Sequence, residues 1–533
     1  MPHTITNFCT QCSNCLPVCP TGAIKQGSDG LWIDATLCND CRHIGLGPKC
    51  VSSCPIDKPP KLLQAKKGRC KVDSKTVTSP KLFPNGKTNP FASAIVVWEA
   101  CNLLAQRQTI ATAPDEAGHF CYRRQVNGGR GAIALRIASD PQQEPPALLD
   151  FATGQQAIAN WDIRAACLHL IFAAYATTLD QAWDQSFTVN DQQLSEYLGL
   201  DKRKDLSKLA KLTLIKDWVE QACKLLVSIE WSQQGRVREI SLTNERIWQL
   251  QDLQHHFQTD EAGCRHLSGL TFQIKTGRWA QYLLNKQGTR SGTAFYQYGS
   301  LPNSLLTNVM SIWQQHEGAA RMMLWLLFKT RIGADQRITI STLMRIGYGE
   351  DRLTQSSINR DDRKRLLRTF ESDLEILSHY NLKPIFDPET YPPEIQPLWA
   401  KLADLPDDAE AALEFWANDG SQGTRLTDAA PRDKWHRLMH ARLLRFELPP
   451  DWEQRSPKST KKRTRKTKTI QTRLPPPLSG QQVSNARKSL QLSQRALANQ
   501  LGKSQSWVRD IENGRLQASE KDRLLLSKVL GFT

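Results

Sequence analysis

The sequence lacks a long apolar run. Among its 533 residues none approaches the roughly 18 needed to span a bilayer. The longest stretches, 165–177 and 322–328, are too short, and the first carries His169. Both read as buried helices, and no membrane is expected as a partner. Met1–Thr10 has neither a basic segment nor an apolar one, so it does not read as a secretory leader. A cytoplasmic protein is expected. Nucleotide-binding loops are lacking as well. Asn85-Gly86-Lys87-Thr88 ends like a phosphate loop, but the position of the required first glycine holds Lys81. Gly128-Gly129-Arg130-Gly131 does not have the dinucleotide spacing and reads as a turn. His255-His256 has no partner at ligand spacing and reads as a helix surface. Without a nucleotide, flavin or nucleophile motif, the chain is not expected to be an enzyme.

Acidic residues are scarce at one end. From Arg455 to Thr533 there are 18 Lys and Arg but 4 Asp and Glu, so this end carries most of the net charge of +17. A concentrated basic end points to a polyanion, most often nucleic acid; a solvated charged tail is the alternative. Cysteine is sparse over most of the chain but not at its start. Eight of the 14 cysteines precede Pro55. Without a leader, a reducing compartment is expected and a disulfide framework is not. Crowded thiols in that setting point to metal. Cys70, Cys101, Cys121, Cys167, Cys223 and Cys264 are scattered and read as packed thiols.

A composition of 40% hydrophobic and 23% charged residues suits a folded chain, and the length suits several domains. The expected architecture is multidomain and mainly α. Residues 1–60 form a small cysteine-dense α+β domain. Residues 61–90, rich in Lys and Pro, read as a linker. Residues 91–450 form a central, mostly helical domain. Residues 451–478 are a basic, Pro-rich linker that has too little apolar surface to fold alone. Residues 479–533 form an all-α end. Within the centre, 187–250 and 338–386 each run strand, short helix, long helix, strand. The long helices are expected over 206–229 and 363–380. This order resembles tandem winged helices, the plan of plasmid replication initiators; a generic helical domain is the other reading.

The cysteines are spaced Cys9-x2-Cys12-x2-Cys15-x3-Cys19-Pro20 and Cys38-x2-Cys41-x8-Cys50-x3-Cys54-Pro55. The pattern resembles two-cluster bacterial ferredoxins, in which the last cysteine of each run crosses to the other cluster. The resemblance implies two [4Fe-4S] clusters. The first would be held by Cys9, Cys12, Cys15 and Cys54, the second by Cys38, Cys41, Cys50 and Cys19. The second run departs from the family by its x8 insertion around residues 43–47. Paired Cys-x2-Cys knuckles also occur in zinc ribbons, so zinc stays the alternative.

The C-terminal end resembles the Cro and phage-repressor type of helix-turn-helix. Ser479–Leu490 reads as its first helix, Ser493 caps the second, Gly502 makes the turn, and Ser504 caps the third at Gln505–Asn513. The resemblance places Ser504, Gln505, Ser506 and Arg509 toward the major groove of double-stranded DNA and Gln494 on a phosphate. It makes Arg487 and Glu512 a structural ion pair. Trp507 reads as packing. A four-helix protein-interaction module is the alternative.

The pairing of a ferredoxin end with a helix-turn-helix end resembles a family of cyanobacterial activators of nitrogen-fixation (nif) genes. That resemblance implies an oxygen- or redox-responsive transcriptional activator on promoter DNA. RNA polymerase and a second copy of the chain are its candidate partners. The alternatives are a replication initiator with tandem winged helices and a ferredoxin-linked electron-transfer subunit.

Overall fold

Carboxylate and hydroxyl caps set where the central helices begin. Asp162 accepts from the amide of Arg164 and opens Ile163–Thr178, a helix buried along nearly its whole length. Asn190 and Gln193 form a reciprocal capping box that turns strand Ser186–Asn190 into helix Asp191–Tyr197. Ser207 caps Lys208–Cys223, Thr339 caps Ile340–Tyr348, and Asn359 caps the 20-residue helix Arg360–His379. In this computed structural model the description covers every residue except 1, 7, 28–29, 43–46, 57–58, 63–76, 93, 107–111, 127–128, 260–264, 297, 330–336, 403–407, 419–430, 453–478, 519 and 532–533. The chain divides into two units, 1–454 and 455–533.

The first unit contains two three-stranded antiparallel sheets with the same strand order. In one, Ser186–Asn190 pairs with Arg265–Thr276, which pairs with Trp248–Thr259. In the other, Ile338–Thr339 pairs with Arg442–Glu447, which pairs with Lys383–Phe386. Each time, the strand before the helices joins the last strand, and the last strand joins the one before it in sequence; in the second half that strand directly follows the long helix, whereas in the first two further strands intervene. The long helices are Lys208–Cys223 and Arg360–His379. In the second half a further helix, Glu350–Ile358, stands where the sequence reads as a charged stretch.

The first long helix is shorter than the expected 206–229. It ends at Cys223, and Leu225–Trp231 is a strand. The apolar run Leu225-Leu226-Val227 with Ile229 is fully buried, and such a run cannot by itself tell a buried strand from a buried helix. This strand pairs with Ile240–Arg246 and Gly131–Ile137 inside a five-stranded sheet that also holds Phe120–Val126 and Ala113–Pro114. The architecture is therefore less helical than expected: 45% helix and 22% strand.

Part of the expected 61–90 linker belongs to the central fold. The Ser79 amide donates to the Thr188 carbonyl at 2.8 Å, the Leu82 amide donates to the Tyr197 hydroxyl at 2.9 Å, and Thr88–Ala92 pairs with Tyr298–Pro302. One hydrophobic core runs from Leu82 to Trp452. A small separate core of Ala23, Ile24, Leu31, Ile33 and Cys50 supports the N-terminal residues. No single described helix is long and apolar enough to cross a membrane.

Candidate metal centre and nucleic-acid interface

The first sixty residues have too little apolar sequence for a sizeable core, so local turns position the thiols. Gln11, Ser13, Asp40 and Cys41 all take positive φ, between 51° and 63°. Non-glycine residues rarely adopt this region, and here it curls the backbone around each cysteine run. One pocket is ringed by Cys9, Cys12, Cys15 and Cys54, with Ile5, Leu31 and Ile56 in its wall. Another is ringed by Cys19, Cys38, Cys41 and Cys50, with Ala23, Ile24 and Ile33. These are the two sets of four that the ferredoxin resemblance implies. Among the described residues, no three His, Cys, Asp or Glu side chains converge as ligands of a single ion. Four thiols around a pocket instead match a cluster with one thiolate per iron.

The electrostatics fit a cationic centre. Burial, then the charges of Cys38, Cys41 and Cys19, pushes the Cys50 thiol up to about 12. Burial and the Cys9, Cys12 and Cys54 charges also raise Cys15, against a local backbone hydrogen bond. The thiols resist ionising side by side, and bound iron removes that penalty because a coordinating thiol is deprotonated. Polar contacts reach the sulfurs: the His3 amide lies 3.4 Å from Cys38 Sγ and the Gln11 amide 3.4 Å from Cys9 Sγ. The Thr21 hydroxyl is 3.6 Å from Cys19 Sγ. Burial would raise Cys19, but its hydrogen bonds, that of Thr21 foremost, bring it below the usual thiol value.

The hairpin Ile24–Gly27 and Gly30–Ile33 carries this module onto the central fold. Lys216 on Lys208–Cys223 donates to Asp34 at 2.7 Å and to the Thr36 hydroxyl at 3.2 Å. Both charged side chains are buried, at 7% and 2% exposure. His255 Nε2 lies 3.5 Å from the same carboxylate. Trp32 packs on His255 and Phe257, with ring centroids 4.7 and 5.2 Å apart. Burial opposes the charge of Asp34, but the nearby His255, the Lys216 cation and the Thr36 hydroxyl hold its carboxyl well below the usual range. Asp34 is also tied to a residue that lines the second pocket: its backbone carbonyl accepts from the Leu37 and Cys38 amides at 3.1 and 3.0 Å. His255 and His256 therefore lie on a strand and not on a helix surface; His256 bonds Thr271 at 2.7 Å. Sequence reading missed the Asp34, Lys216 and His255 group, whose members lie far apart in the chain and form no motif.

In the second unit, four helices span Gly480–Ser489, Gln494–Leu501, Gln505–Glu512 and Glu520–Leu530. Ser479, Ser493 and Ser504 cap the first three, and Gly502 takes φ 63° at the turn. Val483, Leu497, Ala498, Leu501, Val508, Ile511, Leu526 and Leu530 form the core. Trp507 packs against that core with Lys503 over its ring. Gly480 allows the first helix to approach the third: a Cβ there would meet the Glu512 carbonyl oxygen at 2.4 Å.

Ser504, Gln505, Ser506 and Arg509 are all exposed along the start of the third helix. Arg487 and Glu512 form a two-point buried ion pair at 2.6 and 3.1 Å. Burial opposes the Glu512 charge, yet Arg487 and Gln494 hold its carboxyl below the usual value. Gln494 is half-buried and donates to Glu512 at 2.7 Å, so its amide nitrogen braces the ion pair. Lys458, Lys461, Lys462, Arg463, Arg465, Lys466 and Lys468, together with Cys70 and Cys264, lie outside the described residues.

Comparison with known proteins agrees with both ends. The 4Fe-4S binding domain family matches residues 2–25, and a helix-turn-helix domain family matches 480–533. Ferredoxin-1 of Chlorobaculum tepidum is 47% identical over 53 residues, covering 10% of this chain and 86% of its own. A ferredoxin-like protein in the nif region of Trichormus variabilis is 47% identical over 57 residues, 10% of this chain and 49% of its own. A ferredoxin-like protein in the vnf region of Azotobacter vinelandii is 47% identical over 49 residues, 9% of this chain and 74% of its own. No solved structure matches the chain. By its first sixty residues the chain belongs to the 4Fe-4S ferredoxin family, and it carries this domain together with a DNA-binding helix-turn-helix domain.

Proposed function

We propose that the protein is a cluster-dependent transcriptional activator whose ferredoxin domain reports low oxygen to a promoter-binding end. Cys9, Cys12, Cys15 and Cys54 would hold one [4Fe-4S] cluster, and Cys38, Cys41, Cys50 and Cys19 a second. Bound, the clusters supply oxygen and redox sensitivity together with much of the folding energy of this small domain. The observation that carries the reading is Asp34. Its backbone is bonded to the amide of a cluster cysteine, and its side chain is the anchor of the ferredoxin domain on the central fold. A change in the second pocket therefore acts on the joint. Gln505 and Arg509 face DNA, and Arg487 with Glu512 keeps their helix in place.

Assignment to nif genes rests on the family resemblance and on the nif-region and vnf-region names of the ferredoxin relatives. The shared strand order of the central halves supports reading them as tandem winged helices, which keeps a replication initiator as the second reading. Direct repeats at an origin, rather than a promoter, as the bound site would favour the initiator. The test is a promoter reporter in anaerobic cells. Cys12→Ser or Cys41→Ser should abolish activation while the protein level and the fold of 479–533 persist. Full activation by a stable protein without either cysteine would refute the reading, and so would stoichiometric zinc in place of about eight irons.

A further inference from the structure

The helix Arg360–His379 holds the position in the second half that Lys208–Cys223 holds in the first. Its buried residues, Leu366, Phe370, Asp373, Leu374 and Leu377, form one face. The opposite face is basic. Arg360, Lys364, Arg365 and Arg368 are exposed, and at about 100° per residue they span an arc of about 140°. Arg365 lies 3.8 Å from Asp362, a wide exposed pair; among the described residues Arg360, Lys364 and Arg368 have no ion-pair partner. Asp361 is exposed within the arc; Glu371 and Glu375, further along the same side, are half-buried, and Glu371 is paired with Lys434. Just before the arc, Ile358 is 83% exposed.

Arg363 does a different job. It donates to the Ser356 and Ser357 carbonyls at 3.1 and 2.6 Å and lies over Trp435, fixing the corner between Glu350–Ile358 and this helix. The corner is thus held, and among the described residues Arg360, Lys364 and Arg368 beside it have no ion-pair partner.

We propose that the basic arc of Arg360–His379 is a second duplex-DNA contact, separate from the helix-turn-helix end. Charge complementarity selects the occupant. Unpaired cations spaced along one helix face suit the regular phosphates of a groove wall, and a protruding apolar residue suits a thymine methyl. The corresponding helix in the first half offers no such row of exposed cations. Its Lys208 is held by Asp191 and its Lys216 by Asp34, Lys211 is half-buried, and its one exposed residue is the acidic Asp217. The inference rests on the proposed DNA-binding role and adds where in the central region the duplex lies.

The experiment is a salt titration of full-length, cluster-loaded protein on a mixed-sequence 40-base-pair duplex. Arg360→Gln/Lys364→Gln/Arg368→Gln should lower the slope of log K against log salt by about 2 to 3, at about 0.9 per phosphate. Asp361→Lys, which adds a cation to the arc, should raise it by about 1, a gain that misfolding does not produce. Arg360→Lys/Arg368→Lys should leave the slope unchanged. If the triple variant and Asp361→Lys both keep the parental slope while Gln505→Ala/Arg509→Ala still weakens binding to the specific promoter site, this inference fails and the proposed function stands. If the parent binds neither duplex, both fail. If the triple variant instead loses self-association or a bound protein and keeps its DNA slope, the face serves a protein partner and the inference is overturned.

Discussion

Lys208–Cys223 and Arg360–His379 follow the same strand order but present opposite surfaces. The first is covered: Lys208 and Lys216 are spent on ion pairs, and the ferredoxin hairpin sits over Lys216. The second leaves its cations bare along its opening turns. The difference teaches that one helical position can serve as an internal joint or as an outward contact, and that the charges around it decide which. A lysine that meets a buried carboxylate becomes part of the interior. One that meets water remains available to a partner.

The largest effect should come from uncovering the first half. Asp34→Ala leaves Lys216 buried without its partner and should destabilise the docked state by about 3–5 kcal/mol, seen as faster proteolysis of the iron-loaded protein between the two domains. Asp34→Ala/Lys216→Met should recover most of that loss, since an apolar pair of similar size can replace a buried ion pair. If the single and double variants behave alike, the joint does not depend on this pair.

Next, Gly318→Ala tests the packing beneath the bare helix. A Cβ there would meet the Asp373 carboxylate at 2.3 Å and the Tyr348 ring at 2.5 Å. A loss of about 1–3 kcal/mol is expected from overpacking, measured by denaturant unfolding, with the DNA salt slope retained.

A pH series separates two buried carboxylates by sign. Burial pushes the Asp373 carboxyl up, more than Tyr348 and His316 pull it down. Its charged form therefore costs native stability above its raised value, and its contribution should turn more favourable as pH falls from neutral toward about 4. Asp373→Asn should flatten that gain. Asp34 is held low, so its contribution is fully present above about pH 4 and is lost only below it. Unfolding free energy against pH, compared with each variant, checks both signs.

The smallest stability effect belongs to the bare face itself. Arg365→Ala should change unfolding free energy by less than about 0.5 kcal/mol, as exposed pairs usually do. Gln505→Ala and Arg509→Ala should likewise spare the fold, while each costs about 1–3 kcal/mol of binding at a specific site and relaxes its sequence preference.

The two cysteine runs were legible because ligand spacing is local, Cys9, Cys12 and Cys15 falling within seven residues; the crossing of Cys54 and Cys19 came from the ferredoxin resemblance and not from spacing. The helix-turn-helix was legible through its serine caps and Gly502, again local signals. The strand at Leu225–Trp231 was not, because a fully buried strand loses the alternation that distinguishes it from a buried helix. Glu350–Ile358 was missed because it is mostly polar and exposed, with no strong apolar stripe. Asp34, Lys216 and His255 left no trace in the sequence, since contact between them follows from the fold. Gln494 illustrates a finer limit. Its place in the motif was readable, but its bond to Glu512 was not.

Asp34 and Lys216 lie 182 residues apart. At roughly 5–20 residues per second of synthesis, the ribosome needs about 10–40 s to deliver the lysine after the aspartate. Throughout that interval the Lys216 partner of the joint is missing, and once Cys54 has been added all eight thiols are open to whatever supplies iron and sulfide. Chain length thus acts as a clock: metal insertion has its opportunity before the joint closes.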